Sequence, residues 1–172
     1  MEPQSLQDIR QTLLQQKKNG SESRENNMYQ KIHDEISQDS YKIYPNDGQR
    51  FVAWYLRNIH ILDTFETKDC ITDGAGDKQI DAIYIDNQSS TVYIIQGKFY
   101  GGDTVDSGPL REVLASWVQI KDLVHLQDGA NHKLQVKINE MAAVLDDDYE
   151  ICFELIMTSS LTDAAKSDLE RF

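Results

Sequence analysis

The segment GDKQIDAIYIDNQSSTVYIIQGKFY, residues 76–100, decides how this chain is read. Two apolar runs flank the polar turn Asn87-Gln88-Ser89-Ser90. The pattern predicts strands over residues 79–86 and 91–100, and the short connection makes them an antiparallel hairpin. Asp81, Gln96 and Lys98 are planted in this hairpin where packing alone would favour hydrophobic residues. Polar groups in such places cost free energy unless they are satisfied, so they call for a reason.

Strand geometry brings the three together. Side chains alternate between faces with a period of two, so Gln96 and Lys98 share a face with Val92 and Ile94. Tyr93, Ile95 and Phe99 take the other face. Both faces are apolar earlier in the strand, which predicts a central position in a sheet. Asp81 lies near the start of one strand and Gln96 near the end of its antiparallel partner, and those ends are neighbours.

Working outward, Leu6, Ile9 and Leu13 repeat at helical spacing over residues 4–18, with Gly20 as a stop. Ser21 or Ser23 is the expected cap of a second helix bearing Met28, Ile32 and Ile36. Tyr44-Pro45-Asn46-Asp47-Gly48 is turn-rich and separates this N-terminal helical arm, residues 1–45, from the remainder, 46–172. A third helix is expected from Gln49 to about Leu62, with the stripe Phe51, Tyr55, Ile59 and Leu62. A short strand is expected at Cys70-Ile71-Thr72, and then the loop Asp73-Gly74-Ala75-Gly76-Asp77. Beyond the hairpin, Pro109 opens a helix running to about Leu126. Another helix covers 131–145, a strand covers 149–158, and Ser160 or Thr162 caps a last helix. Strands mixed with helices in this order read as an α/β fold with a mixed sheet flanked by helices.

The 172 residues allow a sizeable core, and 40% apolar with 27% charged content is ordinary for a globular chain. No apolar run approaches the ~20 residues that span a bilayer, and no signal-peptide core opens the chain, so a cytoplasmic protein is expected. Cys70 and Cys152 form no metal-binding pair and are expected as free, buried thiols. The four histidines, 33, 60, 125 and 132, lack zinc-ligand spacing, and His33 and His60 have no evident partner. A net charge of −12 argues against a simple non-specific DNA-binding module. It leaves room for an enzyme whose acidic site is offset by a divalent cation. The ending inside an expected helix fits the N-terminal part of a longer protein with further domains.

The chemistry follows from the trio. A carboxylate binds Mg²⁺ through hard oxygen, the Gln96 amide oxygen is a neutral ligand, and the Gly97 carbonyl is a third. Lys98 is suited to orient a water or to stabilise charge on a phosphoryl group. Asp77 is a further metal candidate, though acids beside glycine are usually turn formers, as Asp73 is expected to be. Glu35, on an amphipathic helix, is the other candidate. Trp54 and Trp117 are expected in the core. Asp146-Asp147-Asp148 is expected at a helix end.

These residues resemble the PD-(D/E)XK nuclease superfamily, in the variant with Gln in place of the second acid. The resemblance covers about residues 49–170. It implies a restriction-endonuclease-like αβββαβ core behind the helical arm. More narrowly, DGAGDKQIDAIYID followed by VYIIQGKFY is similar to the N-terminal nuclease-like domain of abortive-infection phage-resistance proteins. Asp73, Gly74, Asp77, Ile80, Asp81, Tyr84 and Ile85 match, as do Ile95, Gln96 and Lys98. The resemblance implies catalysis by Asp81, Gln96 and Lys98 with Mg²⁺ or Mn²⁺, and hydrolysis of DNA in anti-phage defence or restriction. Many members carry a Glu on the first core helix. Gln49 stands there in this chain, with Asp47 two residues earlier and Glu35 on the preceding helix. The alternatives are a domain that has lost catalysis and serves recognition or assembly, and an RNA-directed nuclease. A homodimer would supply two sites for two strands.

Overall fold

A computed structural model describes residues 28–102, 104–145 and 148–171. The expected helix over 4–18, its successor's cap at Ser21 or Ser23, and Asp146 and Asp147 lie outside the described residues.

The hairpin is present. Strand β1, Ala82–Asp86, pairs antiparallel with β2, Thr91–Lys98, in the register Ala82 to Ile95 and Asp86 to Thr91. Strand β3, Glu150–Met157, lies parallel to β2 along its full length. The sheet is therefore mixed, ordered β1-β2-β3, and β2 is central as its two apolar faces required. The strand expected at residues 70–72 does not form. Cys70 closes a helix, and Ile71 makes only an isolated bridge to Ala82. Residues 79–81 also fall outside β1, because Lys78 and Gln79 turn through left-handed conformations, φ +56° and +59°.

Helices cover both faces. On one side stand α1, the described residues 28–36, and α2, Asp47–Asn58. The Asn46 side chain caps α2 by accepting from Gln49 N at 2.9 Å. Ile32, Ile36, Phe51, Val52 and Leu56 pack there against Ala82, Ile95 and Ile156. On the other side, α4, Ser107–Val118, α6, His132–Leu145, and α7, Asp163–Leu169, cover Ile83, Val92 and Ile94. Trp117 lies in this second core, while Trp54 packs half-buried at the border of the first. Each fully buried Ile or Leu contributes roughly 1.5–3 kcal/mol relative to exposure.

Two helices are shorter than their stripes suggested. α2 stops at Asn58 rather than continuing to Leu62; the chain reverses through Ile61, φ +58°, and Leu62 is buried by the return. Asp63 and Glu66 then form a reciprocal capping box for α3, Thr64–Cys70. The helix expected from Pro109 to Leu126 breaks after Val118. A 3₁₀ turn, Gln119–Lys121, follows, and the Asp122 side chain caps a separate α5, Leu123–Gln127. Thr162 caps α7, as one of the two expected candidates. Among the described residues no helix is long and apolar enough to cross a membrane. Both cysteines are free, but only Cys70 is buried; Cys152 is half-buried.

Candidate metal centre

Asp81 sits immediately before β1, and its N–H donates to Ile95 O at 2.9 Å, extending the hairpin ladder by one step. Its side chain turns toward the end of β2. There Oδ2 accepts from Gln96 Nε2 at 2.7 Å and from Gly97 N at 2.8 Å. Asp81 is 9% exposed and Gln96 only 4%. The Gln96 Nε2 also stands 3.3 Å from Gly97 O, while its Oε1 is buried with no hydrogen-bond partner.

Gly97 leaves the room this geometry needs. A Cβ there would meet Val52 Cγ2 of α2 at 2.7 Å and Asp81 Oδ2 at 3.5 Å. Helix α2 thus lies directly against the strand at the site. From its first turn, Gln49, 8% exposed, directs Nε2 toward Asp73 O at 3.5 Å.

The loop before β1 folds back over Asp81. Ligand-capable oxygens of Asp73, Asp77 and Asp81 lie within 4.8 Å of one another. Thr72 N and Asp73 N both donate to Asp81 O, at 2.8 and 3.1 Å. The Asp77 carboxylate also shapes the turn, accepting from Gly74 N at 3.2 Å and from Gln79 N at 3.0 Å. The loop is fastened from outside. Asn131 Nδ2 donates to Thr72 O at 2.8 Å, Asn131 N donates to Gly76 O at 2.9 Å, and Ser116 Oγ donates to Lys78 O.

Burial pushes the Asp81 carboxyl up to about 7. The Gly97 N–H and the Lys98 charge pull it down, and Asp73 and Asp77 push it further up. Asp73 is raised as well, by burial first and then by the negative charge of Asp77. Burial is the largest of these effects, and together with the neighbouring acids it outweighs the hydrogen bonding to Asp81.

Compared with protein-family models, curated proteins and solved structures, the chain matches none.

Asp81, Gln96 and Gly97 thus meet as their register required. Lys98 joins them at the strand end; its Nζ donates to Gln79 Oε1 at 3.4 Å, and among the described residues it makes no ion pair. Asp81 and Lys98 form no direct ion pair. Asp77 belongs to the cluster. Glu35 does not: it accepts from Trp54 Nε1 and lines a separate apolar groove with Met28, Ile32 and Ile156. Asp47 is occupied by an ion pair with Arg50 at 2.9 Å.

Sequence reasoning missed Asp73 as a cluster member and Gln79 as the contact of Lys98. The spacing Asp-Gly-x-x-Asp ahead of Asp81 was the available signal. The two histidines also have partners. His60 Nε2 lies 3.0 Å from Glu154 Oε2 among Tyr55, Tyr84 and Tyr93, and His33 stacks with Tyr29 and Phe99.

Proposed function

We propose that this chain is a divalent-cation-dependent nuclease domain that hydrolyses phosphodiester bonds of DNA, in bacterial anti-phage defence or restriction. The reading assigns it a restriction-endonuclease-like core of the PD-(D/E)XK type. The observation that carries it is the meeting of Asp81, Gln96, Gly97 and Lys98 at one end of the central strand, with an orphaned buried oxygen among them.

The residues present suit Mg²⁺ or Mn²⁺: the donors are hard oxygens, and Gln96 Oε1 is a buried acceptor still lacking a partner. Such a cation, when bound, polarises a phosphoryl oxygen and makes its water more acidic. Asp81 and the Gly97 carbonyl would hold it, with the Gln96 amide oxygen alongside. Lys98 places a positive charge beside these acids, suited to the negative charge that develops on a phosphoryl group under attack. Gln79 keeps that ammonium at the strand end without neutralising it. With a chain charge of −12, attraction for a polyanion depends on the bound cation, on local basic residues and on partners such as a second copy or further domains.

A nicking assay on supercoiled plasmid with Mg²⁺ or Mn²⁺ tests the reading. Cleavage by the native chain, abolished in Asp81→Asn and Lys98→Ala, is the expected result. A parallel single-stranded RNA substrate separates the RNA-directed alternative. One observation favours a non-catalytic recognition or assembly module: two N–H donors already satisfy Asp81 Oδ2. A native chain that cuts neither nucleic acid with either cation supports that module.

A further inference from the structure

The amide of Gln96 poses a specific problem. Its nitrogen faces the Asp81 carboxylate, which is the favourable orientation toward an anion. The same orientation strands Oε1 in a buried position with no partner, at a cost of about 1–3 kcal/mol. Turning the amide over does not help the protein by itself, because oxygen would then face carboxylate oxygen. A cation between them changes the balance, since both oxygens then have a partner.

The distances suit that exchange. With the amide turned, its oxygen takes the place of Nε2, 2.7 Å from Asp81 Oδ2 and 3.3 Å from Gly97 O. Adjacent oxygens around Mg²⁺ stand about 3 Å apart when each bond is ~2.1 Å. The acids of the loop complete the set. Oxygens of Asp73 and Asp77 lie within 4.8 Å of Asp81 and of each other, close to the ~4–5 Å between opposite ligands of a Mg²⁺ or Ca²⁺ ion. The acid absent from α2 is thus replaced from a different part of the chain. Gln49, at the α2 position, reaches the Asp73 backbone instead of the cation.

We propose that Asp73 and Asp77 complete a divalent-cation site with Asp81, and that the Gln96 amide turns over to admit the cation. The choice of a hard divalent ion rests on the nuclease reading above; the ligand set rests on the geometry of the loop. The cation-free chain is then a closed form of the site, with Gln96 as its latch. Gln96 in place of an acid serves a purpose: an ionised glutamate could not donate to Asp81 when the cation is away.

Mn²⁺ binding, measured by calorimetry without nucleic acid, tests both parts. Asp73→Asn and Asp77→Asn are each expected to weaken Mn²⁺ by about tenfold or more. Glu35→Gln, outside the cluster, is expected to leave it unchanged. Gln96→Glu supplies an oxygen without a turn and is expected to bind Mn²⁺ more tightly than the native chain, while Gln96→Leu binds more weakly. Native affinity in both loop variants overturns the ligand set, and no gain in Gln96→Glu overturns the latch. Asp77 also holds its turn, so if Asp77→Asn fails to fold, Asp73→Asn alone decides the ligand set. Mn²⁺ bound by these residues in a chain that cuts nothing refutes the nuclease reading and leaves this site standing. Cleavage that persists with unaltered Mn²⁺ affinity in the loop variants does the reverse.

Discussion

Asp81 is the residue on which stability and chemistry pull in opposite directions. Its pKa, pushed up to about 7 by burial, stands well above the ~3.9 of an unfolded aspartate. Between those values the folded chain holds a proton that the unfolded chain has lost. The stability this group contributes is therefore full below about pH 4, falls as pH rises, and is lost as pH passes about 7. Asp73, raised in the same direction, adds to the trend. In Asp81→Asn the dependence is removed at its main source. Urea unfolding at about pH 5 and about pH 8, with no divalent cation, is expected to show a smaller stability difference in the variant than in the native chain. It is also expected to show the variant as the more stable of the two at the higher pH. An equal difference in both proteins would place the origin elsewhere.

At the scale of elements, the contact between α2 and β2 is the tightest constraint. Gly97→Ala would put a methyl 2.7 Å from Val52 Cγ2. Neither a helix nor a central strand gives way cheaply, and a loss of about 1–3 kcal/mol in urea unfolding is expected. The hairpin was legible because two apolar runs flank the polar turn Asn87-Gln88-Ser89-Ser90, and the two-residue period of side-chain direction set Gln96 and Lys98 on one face. Gly97 was read only for its carbonyl, because its packing role depends on a helix far away in sequence. α3 escaped notice because its seven residues carry no apolar stripe; the Asp63…Glu66 pair was the signal that marks its start. Asp73 was read as a turn former for a different reason. The loop reaches Asp81 through positive φ at Gly74 and Gly76 and at two non-glycine residues, Lys78 and Gln79. Nothing in the side chains of Lys or Gln announces a left-handed backbone, which costs of order 1–3 kcal/mol for such residues. Tertiary anchors impose it, and those anchors come from other elements.

Across the whole molecule, the acid loop is held between the two helical layers. Gln49 reaches it from α2, while Ser116 of α4 and Asn131 at the start of α6 hold it from the opposite core. Asn131 does three things at once: it bonds Thr72 O and Gly76 O, and its Oδ1 accepts from Leu134 N at 2.9 Å. Asn131→Ala is expected to lower stability by about 0.5–2 kcal/mol through the lost cap. It is also expected to speed amide hydrogen exchange at Gly74–Ile80, a change that a cap loss confined to α6 would not produce. Unchanged exchange in that loop would show that its shape is set locally. The parallel pairing of β2 with β3 has a consequence for how the protein is made. Asp81 to Lys98 close on themselves within one hairpin, whereas β3 returns only after α4, α5 and α6 have been laid down. At roughly 5–20 residues per second, a ribosome delivers the acids several seconds before it delivers Asn131. A half-made chain carries every ligand but lacks Ser116 and Asn131, the anchors from the later helical layer, so the spacing of the acids is complete only with the finished fold.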